Sequence, residues 1–281
     1  MGMKIQTATA YGQSKEVGIY ALAAVVNALA AEGVTDPVVQ VRIMIPDYAY
    51  KSRMHTMEKI MKKACEGRGI ELQDIKSERS NVITQSMVVV TGCGQASQGA
   101  DFSGKDIVLT KWIGMEGMLR ILDEKEAELK TRFSTSFLKQ MSSYKSQVFA
   151  QREIALACQN GVGKICQIGD GGVFAGLWDL AKELNTGLEV DLKKIPILQE
   201  TVEVCEFFRL NPYQLTSTGA MLMICEDGER LVEVLSEQGI PAVLIGKLTD
   251  NNDKILRNGE EVRYIDRPAP DEMMKIFDNK A

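Results

Sequence analysis

The chain has 281 residues, 45% hydrophobic and 25% charged, an ordinary globular composition, and at roughly 100–200 residues per domain its length predicts two domains. The formal net charge is −5, with lysine and arginine spread along the chain, which argues against a nucleic-acid-binding protein. No apolar run approaches the roughly 18 residues of a membrane span, and residues 1–6 lack the apolar core of a signal peptide. We therefore expect a cytoplasmic protein that makes no membrane contact.

The first half of the chain alternates predicted strands and helices. Ser14 can cap the first helix and Gly33 can end it, while Pro46 closes the second strand. Methionines at helical spacing mark the second helix, and the run Met-Val-Val-Val-Thr marks a strong strand. The predicted elements are, in chain order, strand 4–10, helix 15–31, strand 38–45, helix 53–65 and strand 86–91.

Residues 95–105 form a polar stretch that contains glycine and serine. Such a composition is typical of a connecting segment and predicts a domain boundary. We therefore predict one domain over residues 1–104 and a second over residues 105–281.

The second half also mixes helices and strands. Asn258 and Gly259 separate two short strands, 254–257 and 261–264, in a pattern typical of a hairpin. Helices and strands in both halves predict an α/β or α+β fold. The other predicted elements are strand 106–113, a turn at 114–117, helices 118–132, 137–144 and 153–159, strand 164–168, helix 173–184, strand 188–190, helix 200–208, strand 221–225, helix 229–238 and strand 242–246.

A cluster of glycines stands between the predicted strand 164–168 and the predicted helix 173–184. We call Gly169, Asp170, Gly171 and Gly172 the glycine turn. Exposed backbone N–H groups at the start of a helix, together with the positive end of its dipole, favour an anion, and glycine lets a phosphate approach the backbone closely. The alternative is a plain strand–helix connection, since short glycine motifs often occur without a ligand.

The cysteines and the single histidine indicate no separate chemistry. Among the six cysteines no pair is separated by two residues, so a zinc knuckle is not expected. Five of them lie among apolar or helical residues, where free cysteine packs as a small hydrophobe, and disulfides are not expected in a cytosolic chain. His55 lies off the apolar face of its predicted helix, so nothing supports a Ser-His-Asp or Cys-His mechanism.

Four segments around the glycine turn resemble a known family when they are taken together. They read DIVLTKWIGMEG over 106–117, IPILQETVEVCEFFRL over 195–210, NPYQLTSTGAMLMIC over 211–225 and PAVLIGKL over 241–248. In this order they resemble the C-terminal domain of the aminoimidazole ribonucleotide (AIR) synthetase superfamily. The likeness is greatest to AIR-synthase-related proteins similar to the hydrogenase maturation factor that dehydrates a carboxamide to a nitrile, and it covers most of residues 105–267.

The resemblance implies an α+β fold made of two α/β domains. The N-terminal domain, here shortened, would contribute strands to a barrel shared by two subunits, and the C-terminal domain would be AIR-synthetase-like. We therefore expect a homodimer formed through the N-terminal strands. The predicted strand near residues 87–91 is apolar on both faces, as a strand covered on both sides should be.

The resemblance also implies a ligand site. Family members bind ATP with Mg²⁺ between the barrel and the glycine turn, and they phosphorylate an amide-type oxygen. The candidate nucleotide-binding residues are Gly169, Asp170, Gly171, Gly172, Ser217, Thr218, Gly219 and Lys111, and the candidate metal ligands are Asp74 and Glu78. The alternatives are a polar turn before a core strand for 217–219, a strand-edge charge for Lys111, and solvated loop carboxylates for Asp74 and Glu78.

The N-terminal half departs from the family pattern. The Asn-Asp pair of the family falls on Asn27 and Ala28, and its Gly-Gly-His-Thr-Glu-like segment falls on residues 74–78, where only Glu78 is retained. The Asp-rich nucleotide loop should precede Lys4, where the sequence begins. Residues 271–281 contain no cysteine to match the carrier cysteine of the hydrogenase factor, which argues against that reaction.

These departures leave three hypotheses and assign no catalytic residue. The first is a protein with reduced or lost ATP/Mg catalysis that retains a phosphate or nucleotide site at the glycine turn, which includes a small phosphate-bearing ligand. The second is an active ATP-dependent enzyme, of the ligase or dehydratase kind, with displaced metal ligands. The third is a non-catalytic dimeric partner subunit, for which a paralogous partner could supply the missing loop.

Overall fold

A computed structural model describes residues 2–96 and 104–277, and their contacts divide the chain into two units. The first unit holds a four-stranded sheet and the second a seven-stranded sheet, so the structure confirms a two-domain α/β architecture. Part of the predicted boundary segment, residues 97–103, lies outside the described residues, so the boundary stays a prediction. Within the described ranges, every helix is too short or too polar to cross a membrane.

The first unit is a mixed sheet with its helices on one face. Its elements are β1 (Met3–Gly12), α1 (Gly18–Ala31), β2 (Val38–Pro46), α2 (Lys51–Glu66), β3 (Glu71–Ser80) and β4 (Ser86–Gln95). The strand order is β1-β4-β2-β3. β2 and β3 are parallel, while β4 is antiparallel to both of its neighbours.

Alternation along the strands gives this sheet two different faces. Val88 and Val90 of β4 are fully buried on the side that packs against α1, where a Cβ on Gly92 would lie 2.6 Å from Val25. The side chains between them, such as Val89, are only half-buried and lie on the opposite face. We call that opposite side the open face.

β3 was not predicted, and its residues were expected to form a polar loop. The segment ELQDIKSERS pairs in parallel with β2 along its whole length and forms the edge of the sheet. An edge strand is exposed along one side, so it needs few apolar residues. The interpretation of Asp74 and Glu78 as loop carboxylates is therefore wrong, because both lie within a strand.

The second unit is built around a longer sheet. Its elements are β5 (Asp106–Thr110), α3 (Met115–Leu129), α4 (Thr135–Ser143), α5 (Gln151–Gln159), β6 (Lys164–Gln167), α6 (Gly172–Leu184), β7 (Gly187–Asp191), α7 (Gln199–Phe208), β8 (Met221–Cys225), α8 (Gly228–Glu237), β9 (Ala242–Thr249), β10 (Lys254–Asn258), β11 (Glu261–Tyr264) and α9 (Met273–Phe277). The strand order is β11-β10-β7-β9-β5-β8-β6. Only the β7–β10 pair is parallel among the described pairs of this sheet.

The core of the second unit lies between the central strands and α6. Every residue of β8 is buried, and Leu222 belongs to a cluster that includes Ile168, Val173 and Leu177. The apolar side of α6 is therefore fixed against the sheet, and its first turn is held at the end of β6. This packing places the glycine turn at the rim of the sheet.

Most predicted elements of the second half are present, with three differences. β10 and β11 form the predicted antiparallel hairpin, in which Asn258 pairs with Glu261. β5 ends at Thr110 rather than at residue 113, because Lys111 has a φ of 57°, which leaves extended geometry. Of the predicted turn at 114–117 only Gly114 lies in a turn, because α3 begins at Met115, and α9 was not predicted.

Candidate functional site

The glycine turn joins β6 to α6 through two residues of left-handed backbone. Gly171 has a φ of 78° and Gly172 a φ of 66°, and the N–H of Gly172 donates to the Gly169 carbonyl over 3.2 Å. A Cβ on Gly172 would lie 2.5 Å from the Tyr213 carbonyl oxygen, closer than atoms can pack. The conformation and the close approach therefore both require glycine at position 172.

The N–H of Gly171 already has an acidic partner. It donates to Oδ2 of Asp271 over 2.7 Å, and Oδ1 of the same carboxylate accepts the Met273 N–H over 2.7 Å. Burial raises the pKa of Asp271 to about 6; the nearby Asp170 and Glu116 carboxylates also raise it, and the two backbone donors oppose the rise. Sequence reasoning did not identify Asp271 as a site residue.

Asp170 lies within the turn next to another acidic side chain. Loss of hydration and the neighbouring Glu116 carboxylate raise the pKa of Asp170, while Arg120 and a hydrogen bond with Thr216 act in the opposite direction. The turn thus combines a backbone anion donor with a carboxyl group that is easier to protonate than an ordinary aspartate.

The residues Ser217, Thr218 and Gly219, which we call the 217–219 turn, are buried beside the glycine turn. The Ile168 N–H donates to the Ala220 carbonyl over 3.0 Å, so the structure brings the two predicted segments together. The Ser217 hydroxyl accepts the Gly114 N–H over 2.7 Å and donates to the Leu215 carbonyl over 2.8 Å.

A buried glutamate accounts for the rest of the 217–219 turn. Oε2 of Glu116 accepts the Thr216 hydroxyl over 2.7 Å and the Thr218 N–H over 3.0 Å, and Arg120 lies 3.5 Å from Oε1. The Ser217 hydroxyl and the Thr218 N–H are thus used inside the protein. This arrangement favours the alternative interpretation, a polar turn that precedes the buried strand β8.

Lys111 is enclosed, and the Gln147 carbonyl oxygen that it contacts would lie 2.8 Å from a Cβ placed on Gly219. Its ammonium group pairs with the Glu153 carboxylate and donates to the carbonyls of Gln147 and Phe149 over 2.7 and 2.8 Å. Desolvation lowers the pKa of Lys111, and the Glu153 carboxylate partly restores it. Both side chains are only 4% exposed, so this lysine fixes the chain after β5 rather than facing a phosphate.

Comparison with known proteins identifies the family to which this site belongs. Residues 103–257, more than half of the chain, match the family described as AIR synthase related protein, C-terminal domain. The chain belongs to this AIR synthase related family. The match includes the glycine turn, the 217–219 turn and Lys111, and it confirms the resemblance drawn from the four sequence segments.

Relatives of this AIR synthase related protein extend beyond the matched domain. A protein of Methanocaldococcus jannaschii, assigned by its name to hydrogenase expression and formation, is 24% identical over 279 residues, which cover 93% of this chain and 79% of that protein. The structure of hydrogenase maturation protein HypE in complex with ATP has a TM-score of 0.77 at 16% identity and covers 95% of this chain and 85% of that one. The structure of a HypE–HypF complex has a TM-score of 0.74 at 18% identity, with coverages of 95% and 90%.

The predicted metal ligands do not form a metal centre in this AIR synthase related chain. Asp74 pairs with Arg42 over 3.0 Å and with Lys76 over 3.8 Å. Lys76 lies between Asp74 and Glu78 on the same face of β3, since alternate residues of a strand share a face. Within residues 2–96 and 104–277, no group of three or more His, Cys, Asp or Glu side chains is arranged to hold a metal ion. The residues described do not fit Mg²⁺.

A cavity of about 300 Å³ lies beside the glycine turn. Phe174 and Leu256 contribute apolar surface, and Arg263 and Arg267 contribute positive charge. The ring of Phe174 stacks on Tyr213 with centroids 5.2 Å apart, which fixes one wall of the cavity. The turn is thus flanked by a hollow that combines apolar and cationic groups.

Proposed function

We propose that this AIR synthase related protein binds a phosphate-bearing ligand, such as a nucleotide, at the glycine turn, with reduced or lost ATP/Mg catalysis. The observation that carries the proposal is the Gly171 N–H, which already holds a carboxylate oxygen at 2.7 Å at the start of the 13-residue helix α6. A position that accepts one anionic oxygen can accept another. The fold it shares with HypE, which has been solved with ATP, supports a nucleotide as the ligand.

We propose a low catalytic capacity because the carboxylates that a magnesium ion would need are replaced or already paired. Phosphoryl transfer depends on cations that neutralise the charge developing on the phosphates. Ala28 replaces the acidic residue of the family pair, and Asp74 is already neutralised by Arg42 and Lys76. Without such ligands, a bound triphosphate would lack the charge stabilisation that its transfer requires.

Calorimetry combined with an ADP-release assay tests this proposal. We expect ATP at millimolar concentration to give a binding heat with or without Mg²⁺, and no ADP release above the protein-free rate. Labelling with ¹⁵N-glycine locates the ligand: the Gly171 amide should shift, while the amide of Gly239, another glycine with positive φ, should not. Absence of binding heat, or an unchanged Gly171 amide, would refute the proposed site.

A second candidate function is an active ATP-dependent enzyme that phosphorylates an amide-type oxygen. The observation in its favour is the likeness to the ATP complex of HypE over 95% of this chain. This candidate predicts ADP release that depends on Mg²⁺ and increases when a small carboxamide is supplied. The same assay therefore decides between the two functions.

We also propose a homodimer formed through the open face of the first sheet. Met3 and Ile5 of β1 are 62% and 63% exposed there, and the half-buried Val89 of β4, which pairs with Thr9, lies on the same face. Large exposed apolar side chains on a sheet are typical of an interface, and Thr7, Thr91 and Arg42 share this face with them. A paralogous partner would bind to the same face, and the mass of that heterodimer would be the sum of two different chains.

Light scattering at micromolar concentration tests the interface. The wild-type protein should have the mass of a dimer, and Val89→Asp should give a monomer because it adds to the open face, next to Arg42, a carboxylate that would have to lose its water on dimerisation. Val82→Asp is the matched control, since Val82 is 84% exposed and lies between β3 and β4, away from that face. A wild-type monomer, or a dimeric Val89→Asp protein, would contradict the proposal.

The biological setting that we propose is hydrogenase maturation in the cytoplasm. The name of the Methanocaldococcus jannaschii relative and the solved HypE–HypF complex support it, and they support a protein partner beside the nucleotide. Deletion of the gene should lower hydrogenase activity in the source organism and leave the hydrogenase polypeptides present. Unchanged hydrogenase activity would exclude this setting.

A further inference from the structure

The C-terminal segment, residues 265–277, brings an acidic side chain to the glycine turn. Oδ2 of Asp271 accepts the Gly171 N–H, while Oδ1 accepts the Met273 N–H, both over 2.7 Å. A carboxylate oxygen bound to a backbone N–H at a helix start stands where a phosphate oxygen of a ligand would stand. The turn is therefore already filled by a group of the chain itself.

Packing of α9 fixes the position of Asp271. Met273 and Ile276 are buried, with 1% and 7% exposure, and hold the short helix against the second unit. Glu272 adds polar anchors: its N–H donates to the Gln214 carbonyl over 3.2 Å, and its carboxylate accepts the Asn211 N–H over 3.2 Å. Lys275 neutralises that carboxylate, with Nζ 2.7 Å from Oε1. Asp271 is thus held at the turn by a built contact rather than by a free tail.

The surroundings of Asp271 make its charge unfavourable. Asp170 in the turn and Glu116 on α3 both face it with negative charge, and burial removes water from it; together these effects raise its pKa. Arg120, which pairs with Glu116, is the cation of this group. A carboxylate held among like charges is released more readily than one held by a cation.

We propose that Asp271 is an internal competitor for the glycine turn, which a phosphate-bearing ligand must displace from Gly171 before it can bind. This inference rests on the proposed function. It makes Asp271 the residue that sets the affinity of the turn for phosphate, and it makes the Asp271 side chain the group that moves on binding. The hydrogen bond to Gly171 is exchanged between the carboxylate and the phosphate, and no covalent bond changes.

Calorimetric titration with tripolyphosphate and with ATP at pH 7.5 measures the competition. Asp271→Ala removes the competing carboxylate, so we expect both probes to bind about tenfold more tightly than to the wild type, the equivalent of one charge-assisted hydrogen bond. Asp271→Asn retains the size and one acceptor oxygen and should give a smaller gain. Glu229→Ala is the control, because it removes one negative charge from an exposed position of α8 that does not line the cavity, and it should change affinity less than twofold.

The outcomes separate this inference from the proposed function. Equal affinities for the wild type, Asp271→Ala and Glu229→Ala would overturn the competition and leave the phosphate site standing. Failure of every folded variant to bind either probe would overturn the proposed site, and the inference with it. Circular dichroism melting establishes that each variant is folded.

A measurement on the unmodified protein does not depend on any variant. Because one carboxylate accepts both the Gly171 and Met273 N–H groups, its displacement should shift both amide resonances together when tripolyphosphate is added. A shift at Gly171 with no change at Met273 would overturn the inference, because it would mean that the ligand binds while Asp271 stays in place.

Discussion

The glycine turn and the 217–219 turn are neighbours, and both contain glycine and polar residues, yet their backbone donors are satisfied differently. Thr218 donates to Glu116, which is 4% exposed, pairs with Arg120 and comes from the adjacent helix α3. Gly171 donates to Asp271, which comes from the C-terminal segment and faces like charges. The Thr218 N–H, whose acceptor is buried and paired with an arginine, is part of the fold. The Gly171 N–H, whose acceptor faces like charges, can exchange that acceptor for a ligand.

The comparison also explains why composition alone does not separate the two turns. Both combine glycine with small polar residues before or after a core element, and both use a carboxylate as acceptor. What differs is the neighbour of each carboxylate, which is a property of the fold. Two substitutions and one change of pH test how much each turn depends on its partners.

The largest effect is expected from Glu116→Ala. The substitution leaves the Thr216 hydroxyl and the Thr218 N–H without their acceptor and leaves Arg120 buried without its carboxylate. Removing one partner of such a buried ion pair should lower the free energy of unfolding by about 3–5 kcal/mol. Urea denaturation measures the change, with the exposed Glu229→Ala in α8 as the control, for which we expect about 0.5 kcal/mol or less. A loss below about 1 kcal/mol would show that the 217–219 turn does not depend on Glu116.

A smaller loss is expected from Gly172→Ala. The left-handed backbone costs about 1 kcal/mol, and the Cβ would meet the Tyr213 carbonyl at 2.5 Å, so we expect a total loss of about 2–4 kcal/mol. Gly239→Ala is the matched control, because Gly239 has a φ of 71° and no atom within 4 Å of the added Cβ. It should lose only the backbone part, about 1 kcal/mol. Equal losses in urea denaturation would mean that the glycine turn relaxes and does not need the close approach.

The smallest effect is the pH dependence contributed by Asp271. Its folded pKa, about 6, is above the ordinary value, so the folded state holds the proton more tightly than the unfolded state between about pH 4 and 6. The stabilisation is complete below pH 4 and is lost as the pH rises through 6. Wild-type stability should therefore fall by about 1–2 kcal/mol relative to Asp271→Asn between pH 4 and 7.

Urea denaturation of both proteins across this range measures the difference, which cancels the titrations of groups that do not interact with Asp271. Repeating the pair in an Asp170→Asn background should reduce the pH dependence, because one of the like charges facing Asp271 is gone. If the difference in free energy of unfolding did not change with pH, or changed with the opposite sign, the raised pKa of Asp271 would be contradicted.

Local patterns predicted the elements that depend on local chemistry. β8 is five consecutive apolar residues and β11 follows an Asn-Gly turn, and both have the predicted bounds. β3 was missed because an edge strand that is half exposed carries the polar composition of a loop. Its pairing with β2 depends on the sheet, which the segment itself does not encode.

The candidate site was predictable only as far as its backbone. Glycines at positions 171 and 172 indicate the turn, but the partner of Gly171 lies 100 residues further along the chain. Asp271 did carry one local signal, since an aspartate two residues before an apolar pair is typical of a helix N-cap, and it does accept the Met273 N–H. The ion pair of Lys111 with Glu153 could not be predicted, because the two residues are remote in sequence.

The ends of the seven-stranded sheet bear on how the protein behaves when it is concentrated. β6 and β11, the outermost strands, have only four residues each, and β11 carries the ion pair of Glu261 with Arg263, 2.6 Å apart. Growth of a sheet from one molecule to the next needs a long run of unpaired backbone, and short charged edges offer little of it. The second unit should therefore resist fibrous aggregation even in concentrated solution, where the unpaired backbone groups of its edge strands often meet other molecules.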